Sequence, residues 1–171
     1  MSDVHRFTTR YVPSEDRVQL LIELEDTDVQ VLWLTRRLLN RLLPPLLKRF
    51  DVSSTDKRKA AAAAAVQRFT QAAAVSGIKR QKAVTRTPTT AQSVADTVVT
   101  SIDIRIGDRK AVFHLKVGDD TLRSIPMTEQ ALRQWLNMLY KQYQAAGWIE
   151  AFWPNWIDLA GADDAPASWL N

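Results

Sequence analysis

The chain has 171 residues, of which 46% are hydrophobic and 25% are charged, a balance typical of one globular domain or of two half-domains that share a core. It contains no cysteine, which excludes disulfides, thiolate nucleophiles and cysteine-based zinc sites. No apolar run approaches the roughly 18 residues that span a bilayer, and residues 1–12 have no apolar signal-peptide core, so we expect a cytoplasmic protein without membrane insertion.

The net charge of +4 is distributed unevenly along the chain. Residues 1–35 contain 3 Lys/Arg and 7 Asp/Glu, residues 36–90 contain 13 and 2, and residues 91–171 contain 7 and 10. The excess positive charge therefore lies entirely in the central third. A basic block between two acidic ones indicates an anionic partner, or an acidic face on another protein or on a second copy of the chain.

The first elements are strands, because apolar and polar residues alternate there. Three strands are predicted, over 5–12, 18–25 and 29–34. Thr35 then has the chemistry of a helix N-cap, and leucines at helical spacing continue to Phe50. Pro44 and Pro45 interrupt this helix, so we expect a kink or two short helices there.

The next helix is predicted over 57–75, where six consecutive alanines give a strong helix propensity. Its cap is expected from a hydroxyl side chain of the preceding loop, namely Ser53, Ser54 or Thr55. Its first three residues are cations at the positive end of the helix dipole, where a bound anion would be stabilising. Residues 77–93 are predicted to form a basic connector.

The last elements repeat the first ones 93 positions later. Strands are predicted over 94–106, 110–117 and 121–125, followed by a helix from Thr128 to about Ala146 with Gly147 as its stop. Val18, Leu20 and Ile22 align with Ala111, Phe113 and Leu115 without insertion or deletion, and Thr35 aligns with Thr128.

These patterns predict an α+β protein of two pseudo-repeated units, each an antiparallel β-meander followed by a helix, with an extra Ala-rich helix between them. The first unit with the Ala-rich helix occupies residues 1–76, and the second occupies 94–147. The basic connector joins them, and residues 148–171 form an aromatic segment and an acidic tail.

The predicted function is that of a non-enzymatic module that binds DNA or RNA through the phosphate backbone, because clustered cations release counterions when they neutralise phosphates. The expected contact residues are Arg36, Arg37, Arg41, Lys48, Arg49, Lys57, Arg58, Lys59, Lys79, Arg80 and Lys82. The same block also fits a solvated helix face that is balanced by acidic strands of the chain or of a second subunit. The topology alone is similar to single-strand-binding folds built from duplicated sheet-and-helix units, although no motif of those families is present.

The aromatic side chains of the predicted strands and those after the last helix could each either be buried in the core or form a binding surface. Those on the predicted strands are expected to fill the core, although they could also stack bases: Phe7, Tyr11, Trp33 and Phe113. Those after the last helix either cover an open edge of the core or form a protein-binding surface: Trp148, Phe152, Trp153 and Trp156.

The alternative function is a protein–protein adaptor or an assembly subunit, including a homo-oligomer. Its expected contact residues are Trp153, Trp156, Trp169 and Leu170. The last two belong to a stretch with little apolar surface, which suggests a short docking peptide.

One group of residues resembles a catalytic arrangement. The spacing of Asp103, His114 and Lys116 resembles the acid…acid-x-Lys pattern of metal-dependent nucleases, but His114 stands where a second carboxylate should bind Mg²⁺. We therefore interpret it as ordinary strand spacing. With two histidines, five scattered glycines and no local Ser-His-Asp pattern, we expect no catalytic residue, no metal and no cofactor.

Overall fold

The computed structural model describes residues 4–24, 29–51, 55–77 and 97–159, with residues 4 and 5 described by their backbone only. This part of the chain is mixed α+β, as predicted, with seven strands in two sheets and three helices. The strands are β1 (Val4–Val12), β2 (Arg17–Leu24), β3 (Val29–Leu34), β4 (Thr97–Val98), β5 (Ser101–Ile106), β6 (Lys110–Val117) and β7 (Asp120–Thr128). The helices are α1 (Arg36–Lys48), α2 (Lys57–Ser76) and α3 (Glu129–Ala146).

The chain passes from the first sheet to the second between β4 and β5. The first sheet has the order β1-β2-β3-β4, with β4 parallel to β3, and the second is the antiparallel meander β5-β6-β7. Val99 N–H donates to the Trp33 carbonyl and Thr100 N–H donates to the Lys116 carbonyl, each at 2.9 Å, so the chain changes sheets within two residues.

The prediction of one strand over 94–106 is therefore wrong, because β4 and β5 belong to different sheets. Alternation of apolar and polar residues indicates that a segment is extended, but it does not indicate which other strand that segment pairs with. Residues 94–96 lie outside the described residues.

The hairpin β2–β3 and the hairpin β6–β7 pair in corresponding registers. The opposed residues are Val18–Leu34 and Leu20–Leu32 in the first, and Ala111–Met127 and Phe113–Ile125 in the second. Each residue of the first hairpin is 93 positions before its counterpart, and all eight side chains are buried. The inward faces of both sheets thus contribute to one hydrophobic core.

Helix α1 begins at its predicted cap, because the Thr35 hydroxyl accepts a hydrogen bond from Leu38 N–H at 3.2 Å. It continues as one helix through Pro44 and Pro45, so of the two expected alternatives the two short helices are wrong and the kink stays a prediction. The prolines cannot donate to the preceding turn, but the leucines before and after them lie in the core and hold the helix together. These buried leucines are Leu38, Leu39, Leu42, Leu43, Leu46 and Leu47.

Helix α2 is capped by Asp56, and the prediction of a hydroxyl cap from Ser53, Ser54 or Thr55 is wrong. The Asp56 carboxylate accepts from Arg58 N–H at 2.9 Å. A carboxylate serves better here, since it places a negative charge at a helix end that begins with three cations. Ser53 and Ser54 lie outside the described residues.

Helix α3 and the segment after it close the core. The Thr128 hydroxyl caps α3 by accepting from Ala131 N–H, and Gly147 ends the helix at φ +66°, both as predicted. Trp148, Trp156 and Ile157 are then buried, which confirms the interpretation that this segment covers the core. No helix of the described residues is long and apolar enough to cross a membrane.

Candidate nucleic-acid interface

The outer face of α1 carries exposed cations because the leucines occupy its inner face. The exposed cationic side chains are Arg36, Arg37, Arg41, Lys48 and Arg49. Arg49 lies one residue beyond the end of α1. Arg37, Arg41 and Lys48 lie within about 40° of one another around the helix axis. These three cations therefore form a stripe along one side of the helix, which is the part of the predicted basic surface that α1 supplies.

Arg36 was also predicted to bind nucleic acid, but its guanidinium contacts the aromatic segment. Its Nε and Nη2 donate to Glu150 Oε1 at 2.9 and 2.7 Å, and its guanidinium carbon lies 5.7 Å from the centre of the Trp148 ring. The side chain therefore ties residues 148–150 to α1 and is poorly placed to contact a phosphate.

The same carboxylate receives a third hydrogen bond. Asn40 Nδ2 donates to Glu150 Oε1 at 2.6 Å, and the Tyr143 hydroxyl donates to Asn40 Oδ1 at 2.8 Å. The bonds from Asn40 and then from Arg36 lower the pKa of Glu150, while burial raises the pKa of the Tyr143 hydroxyl and keeps it a neutral donor.

The lowered pKa of Glu150 predicts a pH-dependent effect of Glu150→Gln on stability. The ionised carboxylate stabilises the fold above its ordinary pKa of 4.5, and this stabilisation is lost as the pH falls through the lower folded-state pKa. We expect the variant to melt below the natural protein at neutral pH, with the gap closing below about pH 4. Thermal unfolding at several pH values measures this, with the exposed Glu15→Gln as control. A gap that does not change with pH would contradict it.

A second group of cations comes from the hairpin between β5 and β6. Arg105, Arg109 and Lys110 are exposed, and the last two line a cavity of about 280 Å³ together with Arg49. Two carboxylates, of Asp108 and Glu129, also line this cavity. The sequence interpretation missed these cations because they belong to an acidic part of the chain, and only the fold brings them beside α1.

A larger groove of about 590 Å³ separates α1 from β5. Aliphatic side chains from both elements line most of it, namely Leu38, Leu42, Leu46, Ile102, Ile104 and Ile106. Arg41 and Arg49 line it as well, and so does Asp103, whose carboxylate accepts from Lys116 Nζ at 3.3 Å. Arg49 therefore lines both the apolar groove and the cationic cavity.

The other predicted cations lie elsewhere. Lys57, Arg58 and Lys59 are exposed at the start of α2, beside the Asp56 carboxylate, and they line neither the groove nor the cationic cavity. The connector residues Lys79, Arg80 and Lys82 lie outside the described residues.

The strand aromatics fill the core, as predicted. Trp33 and Phe113 are buried, Phe7 packs edge-on against Trp135 at 6.5 Å, and Tyr11 packs against Trp148 at 5.4 Å. None of the four is exposed, so among the described residues they offer no platform on which bases could stack.

The predicted protein-contact residues are partly in the core. Trp156 is 6% exposed and packs against Phe50, with ring centres 5.7 Å apart, so its side chain is not available to a partner at the surface. Trp153 is half-buried against Tyr140 and Tyr143. Trp169 and Leu170 lie outside the described residues.

His114 lies in a polar row across the second sheet, between Asp103 on β5 and Ser124 on β7. Its Nδ1 is 2.7 Å from the Ser124 hydroxyl, and Nε2 is buried without a partner among the described residues. Asp103 is paired with Lys116, so none of the carboxylates in the described part of the chain is seen to orient the imidazole as a serine triad requires. The described residues contain no group of three metal-ligating side chains.

Comparisons with known proteins give no match to a protein-family model, to a curated protein sequence or to a solved structure.

Proposed function

We propose that this protein binds nucleic acid through the phosphate backbone, with low sequence specificity, at the outer face of α1 and the adjoining β5–β6 hairpin. The observation that carries the proposal is the position of Arg49. Arg49 lines the apolar groove together with Arg41 and the cationic cavity together with Arg109 and Lys110, so it connects the cations of α1 with those of the hairpin.

A comparison of the two halves supports this assignment. The second half has Gln130, Gln134 and Gln142 at the positions that correspond, 93 residues earlier, to Arg37, Arg41 and Arg49. Gln134 donates to the Ala74 carbonyl and Gln142 accepts from Tyr11 N–H, so these two half-buried side chains contact α2 and β1, whereas Gln130 is exposed. The face of α1 is open and charged, as a surface for an anionic partner requires.

We also propose that the β-meander and helix in each of the two halves, 1–76 and 94–147, are copies of one unit related by an approximate two-fold axis, and that α2 is an addition to the first copy. In such an arrangement, equivalent residues meet at the axis and contacts recur in pairs. Arg123 Nε donates to Gln30 Oε1 at 2.5 Å, and these two residues occupy equivalent positions. The contact of Asn40 with Tyr143 likewise recurs as the contact of Arg133 with Phe50.

The salt dependence of binding tests the proposed function. If about five cations neutralise phosphates of a single strand, the slope of log affinity against log salt concentration is about −3.5. The affinity then falls about 100-fold between roughly 50 and 200 mM salt. Fluorescence anisotropy measures this fall, and oligonucleotides of unrelated sequence should bind with similar affinity. The absence of binding to both DNA and RNA at 50 mM salt would reject the proposal.

The apolar groove supports the protein adaptor as a second candidate function. Its aliphatic lining with Arg41 and Arg49 suits a protein segment that carries both apolar and acidic side chains. The exposed Ile149 (92%), close in sequence to the half-buried Trp153, offers further apolar surface. A protein–protein interaction that survives nuclease treatment would favour this candidate. The cytoplasmic location and the formation of a homo-oligomer stay predictions.

A further inference from the structure

Helix α2 has its polar side turned inward. Gln71 Nε2 donates to the Arg133 carbonyl at 3.0 Å, and Gln67 Oε1 accepts from Arg133 Nη2 at 2.7 Å. Near the end of the helix, the Ala74 carbonyl accepts from Gln134 Nε2 at 2.9 Å. These hydrogen bonds fix the rotation of α2 on α3, so its opposite side faces away from the other described residues.

That opposite side is an apolar stripe. Phe69 is 77% exposed and Val66 is 62% exposed, the highest values for large apolar side chains on any described helix. Ala62 and Ala73 are also exposed. Positions 62, 66, 69 and 73 are four, three and four residues apart, and this spacing places the four side chains along one side of the helix. Exposed Ala65 and Ala72 flank the line. This is the pattern of a helix that packs against another helix.

The charges of α2 indicate which helix that is. The first turn carries three cations, Lys57, Arg58 and Lys59, and the whole helix contains no Asp or Glu. Cations are unfavourable at the positive end of their own helix, but they are stabilising beside the carbonyl end of another. The last turn of α2 carries no cation of its own, so the negative end of its dipole is open to a cation from another helix. An antiparallel second copy of α2 satisfies both ends at once.

We propose that the protein forms a two-fold symmetric dimer through an antiparallel pair of α2 helices. Val66 of each copy packs on Phe69 of the other, and Ala62 packs on Ala73, so the stripe is complementary to itself. The same register sets Lys59 beside Ser76 of the second copy, where its ammonium lies at the negative end of that helix's dipole. Alanines at both ends allow the two backbones to approach closely.

The expected dimer is weak. The stripe from 62 to 73 covers only about 17 Å of helix, which is less than a standard stable interface, so we expect monomer and dimer to be in equilibrium and the dimer to form only at high protein concentration. The interface uses none of the cations of α1 or of the β5–β6 hairpin, so the dimer and the proposed nucleic-acid binding are tested separately.

Sedimentation velocity of the full chain at about 1 to 200 μM tests the dimer. The natural protein is expected to shift from monomer to dimer across this range, whereas Phe69→Glu stays monomeric because it places two carboxylates in the interface. Ala61→Glu is the matched control, since it adds the same charge to the same helix about 100° away from the stripe. A monomer at every concentration, or a dimer that Phe69→Glu leaves intact, would overturn the proposal.

Cysteine pairing tests the orientation, because the natural chain contains no cysteine. When equal amounts of the Val66→Cys and Phe69→Cys proteins are mixed and oxidised, an antiparallel pair yields the mixed disulfide as clearly more than the half of all disulfides that random pairing gives. A parallel pair yields the symmetric disulfides in excess, and this result would overturn the proposed register. Mass spectrometry distinguishes the three products.

Discussion

Replacing Arg37, Arg41 and Arg49 together by glutamine is expected to weaken nucleic-acid binding about 100-fold at roughly 0.1 M salt. Each phosphate contact with a single strand contributes a factor of about five there through counterion release, and three contacts are removed. The salt slope should fall from about −3.5 to about −1.4. Anisotropy titrations of the variant and the natural protein with one oligonucleotide measure both quantities.

Glutamine is the appropriate replacement because the second half already uses it at the corresponding positions of α3. The three arginine side chains are exposed, so circular dichroism and the melting temperature should be nearly unchanged. The matched control is Lys141→Gln, which removes an exposed charge at the position corresponding to Lys48. If Lys141→Gln weakens binding as much as the triple change, the interface is not on α1.

Trp156→Ala is expected to destabilise the fold by about 3–5 kcal/mol, a typical cost for removing a large buried aromatic side chain. The ring packs edge-on against Phe50, and the Arg133 guanidinium lies 5.6 Å from its centre. Arg133 is itself 3% exposed, so removing the ring also removes part of the environment that stabilises a buried cation. Urea unfolding followed by circular dichroism measures the loss.

Ile149→Ala is the control in the same segment, because its side chain is 92% exposed. We expect it to change stability by less than about 0.5 kcal/mol. If Trp156→Ala leaves stability unchanged, the segment does not close the core, and its aromatic side chains would be free to bind a partner.

Local chemistry explains the parts of the fold that the sequence predicts correctly. Thr35 and Thr128 cap their helices through a hydroxyl that reaches three residues along the chain, and Gly147 ends α3 because its backbone tolerates a positive φ. The alternation that places Val18 and Phe113 in the core depends only on neighbouring residues.

The incorrect predictions depend on contacts between distant residues. The exchange of sheets at Val99 is set by hydrogen bonds to Trp33 and Lys116, which no local pattern contains. Arg36 has the same sequence pattern as its exposed neighbours, and it differs only because Glu150, 114 residues away, lies beside it. Solvent-exposed and ion-paired arginines cannot be separated from sequence when the partner lies on another element.

The composition of the basic surface also depends on contacts between distant residues. The sequence identifies the cations of α1 correctly as exposed, but it attributes the basic surface to residues 36–90 alone. Arg109 and Lys110 reach this surface only because the β5–β6 hairpin folds beside the end of α1. Charge counts along a chain cannot show a surface that is assembled from two segments about 60 residues apart in sequence.

Amide chemical-shift mapping by NMR tests the proposed interface most directly, since it locates the contact on the protein at residue level. On addition of a single-stranded oligonucleotide at low salt, we expect the largest shifts at Arg41, Arg49 and residues 107–110, with small shifts in β1 and β2. Largest shifts at the aromatic segment 148–157, or no shifts at saturating oligonucleotide, would contradict the proposal that α1 and the β5–β6 hairpin bind nucleic acid.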